Sequence, residues 1–272
     1  MTETRTDLRA HFGFTALPFT REITVEERWP SAIFDEPLVE LQATIQERMS
    51  AVLIAPAGTG KTVLLRALRS RLPEARYRVH YTKVTSLSKR DMCREIAAAV
   101  GMAPAGSYPT LVRSLQERFD ATLATDGLRP VLLLDEAHDM RPDVLAILRI
   151  LTNFQMDSRL VLSVVLAGQP ALLRFLERDE LEAVRQRIAH FATLRLLTRP
   201  ESRQYIEHRL RIAGGKKGVF DDPAIDAIYE IARGNLRAID HLALKAIELA
   251  AREGAPMADP SFVTAARQKL IP

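Results

Sequence analysis

Ser50–Ala55 (SAVLIA) is a short apolar run, and Pro56-Ala57-Gly58-Thr59-Gly60 turns out of it into a helical pattern that opens at Lys61-Thr62 and stops before Pro73. No other stretch limits the fold so narrowly. A strand, a turn of small residues and a helix N-terminus bring successive backbone N–H groups around one point, at the positive end of the helix dipole. Phosphate oxygens suit that point. Lys61 adds a point charge for the outer phosphates, and the Thr62 hydroxyl can ligate Mg²⁺. Ala55 stands where a first glycine is usual, which a negative φ tolerates. The phosphate-binding set is therefore Ala55, Pro56, Ala57, Gly58, Thr59, Gly60, Lys61, Thr62 and Val63.

A second apolar strand, Val131–Leu134, ends in Asp135-Glu136. A buried strand of this kind delivers its acidic pair to the carboxyl edge of a parallel sheet, where ligands bind. Asp135, with Thr62 one of the two candidate metal residues, is expected to sit in the outer coordination shell of Mg²⁺ or to coordinate it through water, and Glu136 to orient and polarise the attacking water. With Ala137 and His138 the segment spells DEAH, the box of a helicase class that needs two nucleotide-binding sheets. The second half of this chain reads as helical, so that class fits poorly, and His138 is expected to be a positioning or surface residue.

Further strand patterns at Tyr77–Val84 and Leu160–Ala167 alternate with helical ones at Leu38–Arg48, Lys89–Val100, Thr110–Leu123 and around Asp143–Asn153. Unbroken apolar strands alternating with helices imply an α/β fold with a parallel sheet between helices. After Arg199-Pro200 only helices are expected, over 201–213, 222–233, 236–252 and 260–269. Three regions follow: an irregular segment 1–40 packing on the nucleotide site, an α/β core 41–199, and a small all-helical lid 200–272. The single cysteine, Cys93, excludes a disulfide framework. No apolar run approaches the roughly 20 residues of a membrane span, and the N-terminal residues lack an apolar leader core, so the expected setting is cytoplasmic. The net charge is +4, yet residues 61–95 carry ten Lys or Arg against three Asp or Glu. Such a stretch suits a polyanion or, equally, a solvated helix face.

The motifs together resemble the AAA+ ATPases, and within them two groups: the ExeA-type secretion ATPases and the transposition regulators of the TnsC and TniB type. Phe12-Gly13-Phe14 with Leu17-Pro18-Phe19 resembles the family's N-terminal segment. Gly168-Gln169-Pro170 resembles its sensor-1 strand end, Arg185-Gln186-Arg187-Ile188 its arginine-finger element, and Gly234-Asn235-Leu236-Arg237 its sensor-2 motif. The resemblance implies ATP and Mg²⁺ as cofactors. It implies that Gln169 bonds the γ-phosphate or the water, that Arg187 reaches a neighbouring subunit's phosphate with Arg185 as rival, and that Arg237 folds back onto the nucleotide. Each is also compatible with a turn or surface role. Pro18, Phe19, Ile33 and Phe34 form either an adenine slot or ordinary core. The secretion proteins continue into a membrane span and a wall-binding region, whereas this sequence ends at Pro272, so a transposition regulator is the expectation. That implies an ATP-dependent homo-oligomer, ring or filament, on double-stranded DNA, partnered by a DDE-type transposase and with no membrane. Lys83, Ser86, Lys89 and Arg90, supported by Thr82, Thr85 and Ser88, are the candidate DNA contacts, although Ser86–Asp91 reads equally as a capped helix start. The alternative is an ExeA-like secretion or envelope-assembly ATPase that binds no DNA.

Overall fold

The structure, a computed structural model, describes residues 8–84, 86–215 and 218–270. These divide into two compact units, one of residues 31–57 and 61–194, the other of residues 8–30, 58–60 and 195–270.

In the first unit the apolar runs become parallel strands β1 (Ser50–Ile54), β2 (Tyr77–Lys83), β3 (Arg129–Asp135), β4 (Ser163–Gly168) and β5 (Ile188–Thr193). Their order in the sheet is β2-β3-β4-β1-β5. The three central strands are covered on both faces, which is why they read as continuous apolar runs. Alternate residues divide between the faces. Val52, Ile54, Leu132, Leu134, Val164 and Leu166 join a cluster with Met92, Cys93, Ile96 and Phe119 of the helices Lys89–Ala99 and Tyr108–Ala124. Cys93 has no solvent exposure there, and burial pushes its thiol up to about 11. The helix Ala32–Gln46 packs on β1 and β5, and the helix Lys61–Arg71 packs on it in turn.

Among the departures from the sequence reading, three lie in this unit's helices and edge strand. The Ala32–Gln46 helix starts six residues earlier than expected, with Pro37 inside it. A proline there forfeits a backbone bond, but the buried row Ile33, Phe34, Leu38, Leu41 and Ile45 holds the helix. The expected helix 143–153 is broken into Pro142–Leu145 and Ile147–Leu151. β5 was not anticipated. It is an edge strand with a mixed burial pattern, paired to β1 through a register shift between Ser50 and Ala51.

The second unit is built on the helices Leu8–Phe12, Arg199–Ile212, Asp222–Ala232, Leu236–Arg252 and Pro260–Leu270. Side-chain caps set several starts: Thr198 and Glu201 form a reciprocal capping box, and Asn235 Oδ1 accepts from the Ala238 N–H at 3.1 Å. Within the unit Arg209 is buried. Its guanidinium donates to Thr20 O at 2.6 Å and to Tyr205 Oη at 3.0 Å, and it faces Asp240 Oδ2 at 3.3 Å. Gly234 has φ +76°, and a Cβ there would lie 2.0 Å from the Leu197 carbonyl oxygen. Among the described residues no helix is long and apolar enough to cross a membrane.

Candidate functional site

β1 and β3 run parallel with only β4 between them, so the segment after Ile54 and the acidic pair after Leu134 leave the same edge of the sheet. Ala55 N–H donates to Gly168 O at 2.9 Å and Val84 N–H to Asp135 O at 2.8 Å, which ties the strand ends together. Lys61 opens its helix with only 8% of its side chain exposed. Its ammonium lies 2.9 Å from Glu136 Oε2 and 3.2 Å from Asp135 Oδ1.

Asp135 is buried at the last position of β3, and four donors surround its carboxylate. Oδ1 accepts the Glu136 N–H at 2.8 Å and faces Lys61. Oδ2 accepts the Thr62 hydroxyl at 3.0 Å and the Tyr81 phenol at 3.2 Å. Burial, then the neighbouring Asp135 carboxylate, pushes the Tyr81 phenol up to about 12, so it stays a donor. Tyr81 was not among the residues read from sequence. Its signal was the two-residue period of β2, which sets it on the same side of the strand as Lys83, itself paired in register with Asp135.

Glu136 sits in the left-handed region (φ 59°, ψ 33°) ahead of a 3₁₀ turn over Ala137–Asp139. A non-glycine residue there costs on the order of 1 kcal/mol, and such positions concentrate at working sites. His138 Nδ1 lies 3.5 Å from Glu136 Oε2 and 3.4 Å from the Gln169 N–H, at the tip of β4. His138 is mostly buried, with 11% of its side chain exposed.

The loop glycines Gly58 and Gly60 have φ +79° and +91°, and Thr59 is buried. The tip 58–60 belongs to the helical unit. Gly58 O accepts the Arg237 N–H at 3.1 Å, and a Cβ on Gly58 would meet Asn235 Oδ1 at 2.4 Å. The Arg237 side chain is exposed. Phe19, in the same unit, is buried at φ 57° beside Phe220 and the Arg209 guanidinium. Phe34 is buried on the helix Ala32–Gln46 of the α/β unit.

Arg187 leaves the short helix Glu182–Arg185 and pairs with Asp157 at 2.7 Å, while Arg185 is exposed. Asp157 lies in a loop where Gln155, Met156 and Asp157 all have positive φ. Among the candidate DNA contacts, Lys83 and Ser86 are exposed. Lys89 stands 3.8 Å from Asp143, and Arg90 Nε donates to Gly106 O at 3.2 Å. Ser88 caps its helix, accepting the Asp91 N–H at 3.3 Å, and Thr85 lies outside the described residues.

The donor set fits a nucleoside triphosphate with a divalent cation. Left-handed glycines turn the loop, and a lysine at the helix start supplies charge. One hydroxyl and one carboxylate are enough for Mg²⁺, which keeps most of its ligands from water and phosphate.

Sheet order, phosphate loop and acidic strand end define the AAA+ P-loop fold, with a helical region following the α/β core. Residues 44–176 match the family described as AAA domain. The chain is 30% identical over 246 residues to General secretion pathway protein A of Aeromonas hydrophila, covering 89% of this chain and 45% of that protein. It is 26% identical over 195 residues to the Replication factor C small subunit of Aeropyrum pernix, covering 71% of this chain and 50% of that one. The chain thus spans about half the length of these curated relatives. Among solved structures it resembles the Aeropyrum pernix ORC1 protein in complex with DNA, with a TM-score of 0.72 and 21% identity over 94% of this chain and 70% of that one.

Proposed function

We propose that the chain is a Mg²⁺-dependent ATPase of the AAA+ kind. The observation that carries this reading is the convergence of Lys61, Thr62, Asp135 and Glu136 on one sheet edge. Phosphate oxygens compete with the two carboxylates for the Lys61 ammonium, and the loop N–H groups complete the cradle. Thr62 and Asp135 hold the cation side of the nucleotide; Mg²⁺, when bound, shields the phosphate charge from the attacking oxygen. Glu136 orients a water and takes its proton as the oxygen bonds to the γ-phosphorus. The bond to the β-phosphate oxygen breaks, giving ADP and inorganic phosphate. Gln169, at the tip of β4, steadies the water or the γ-phosphate in this reading. A colorimetric phosphate assay with Glu136→Gln tests the reading: bound ATP that is not turned over supports it, and wild-type turnover overturns it.

We further infer that ATP binding drives self-assembly on double-stranded DNA, and that the protein serves in the cytoplasm as a transposition regulator that recruits a DDE-type transposase. The basic stretch 61–95 and the exposed Lys83 support this, as does the fold shared with an ORC1 protein solved in complex with DNA. A second reading, an ATPase of secretion or envelope assembly, is favoured by the 30% identity to General secretion pathway protein A. Gel shift on random duplex DNA, with and without a non-hydrolysable ATP analogue, separates the two: an analogue-dependent shift favours the first, its absence the second.

A further inference from the structure

We propose that Tyr81 is a positioning residue for Asp135, its phenol fixing the carboxylate through which the chain senses the nucleotide-bound Mg²⁺. The inference rests on the ATPase reading and extends it to a residue outside the phosphate loop and the acidic pair.

A buried carboxylate can turn about its Cβ–Cγ bond unless both oxygens are held. Asp135 Oδ1 is held by the adjacent Glu136 N–H and by Lys61, and Oδ2 by Thr62 and Tyr81. One of these four donors has other work when nucleotide binds: the Lys61 ammonium is drawn to phosphate. The Thr62 oxygen turns a lone pair to the cation while its O–H stays on Oδ2, so its orientation becomes tied to the metal. Tyr81 is the side-chain donor to Oδ2 that does not itself meet the cation or the phosphates. Groups behind a metal-binding carboxylate commonly change metal affinity or activity by about 10- to 100-fold when removed.

Two further observations point the same way. Tyr81 is 39% exposed, so its ring contributes little to the core, while its hydroxyl reaches inward to a carboxylate that is 2% exposed. β2 and β3 pair in continuous register from Tyr77↔Arg129 to Lys83↔Asp135, which fixes the height of Tyr81 beside the acidic end of β3.

The test is the affinity of a fluorescent ATP analogue, measured with the full chain in Mg²⁺ and in EDTA, for wild type and Tyr81→Phe. The phenylalanine keeps the ring and deletes one donor. The Mg²⁺-dependent gain in affinity is expected to shrink about 10-fold in the variant, with the EDTA affinity within about twofold of wild type. A general structural defect would instead weaken both equally, and that outcome overturns the proposal, as does an unchanged Mg²⁺-dependent gain. A second variant, Tyr81→Leu, covers the case in which the phenylalanine ring finds a new packing. It must show the same selective loss. Wild-type protein that binds the analogue in neither condition overturns the ATPase reading and this inference with it.

Discussion

The Lys61 ammonium donates to Glu136 Oε2 at 2.9 Å, so the cation at the helix start and the carboxylate just after β3 hold each other. On the proposed mechanism both groups are wanted elsewhere during turnover, and phosphate that captures Lys61 also releases Glu136. Lys61→Ala should abolish nucleotide binding in an equilibrium assay. Glu136→Gln should bind ATP at least as tightly as wild type, having weakened the competitor for Lys61, and hydrolyse it at least about 100-fold more slowly. Tighter binding in isothermal titration with lost phosphate release checks both halves.

Gly234 tests how closely the helical unit is packed. Its φ is +76°, and an added Cβ would press on the Leu197 backbone at 2.0 Å from O and 2.7 Å from N. Because Leu197 N–H also donates to Gly234 O at 3.0 Å, neither segment can withdraw without losing that bond. Gly234→Ala should cost about 3 kcal/mol or more, combining backbone strain with the clash. Urea unfolding would register this as a lower midpoint.

Two carboxyls of the helical unit should give its stability opposite pH slopes. Burial pushes Asp240 up to about 7 against the pull of Arg209. Its folded form thus binds the proton more readily than the unfolded chain, and the stability it contributes is present below about 4 and lost as pH rises through 7. Glu201 goes the other way, drawn down to about 2, chiefly by hydrogen bonds from Arg195. Its contribution is present above about 4.5 and lost as pH falls toward 2. Urea midpoints from pH 2 to 8 should fall on both sides, with Asp240→Asn flattening the upper limb and Glu201→Gln the lower.

For DNA, the residues singled out from sequence are not equivalent. Lys89 and Arg90 have neighbours in Asp143 and the Gly106 carbonyl, whereas Lys83 extends from the exposed end of β2. Lys83→Glu is expected to reduce duplex binding most, and to lower the log–log salt slope by about 0.9 for each phosphate that the protein no longer neutralises. Filter binding across a salt series, on unrelated duplexes, measures it. A slope unchanged by Lys83→Glu would remove this strand end from the interface.

Arg187 is expected to act across a subunit boundary, and the Asp157 pair at 2.7 Å restrains it in the isolated chain. Arg187→Ala should lower ATPase activity while leaving ATP affinity nearly unchanged. Mixing that variant with Glu136→Gln subunits should restore part of the turnover. Asp157→Asn should leave the rate unchanged or raise it. A rate that drops as far as in Arg187→Ala would mean that the pair, rather than a freed guanidinium, matters.

The sheet and the phosphate loop were legible because each is written locally. Val131–Leu134 can only be a covered strand, and Gly58-Thr59-Gly60-Lys61 carries its own turn geometry. β5 was hidden because an edge strand exposes one side, and Ile188-Ala189-His190-Phe191 has neither clean alternation nor an unbroken apolar run. Pro37 concealed the first turns of its helix for a similar reason: the local signal says break, and the buried row Ile33, Phe34, Leu38 and Leu41 overrides it. Tyr81 could not be found by motif, since what brings its hydroxyl to Asp135 is the pairing of two strands about fifty residues apart in the chain.

The lone thiol of the chain, Cys93, is sealed between helix and sheet with no accessible surface and a pKa lifted to about 11. A thiol so placed reacts slowly with maleimides at neutral pH. The native sequence is therefore already a silent background for labelling. A cysteine introduced at exposed Met156 or Leu160 would be the fast-reacting position, and a dye carried there could follow nucleotide-driven association in real time without removing any natural residue from the core.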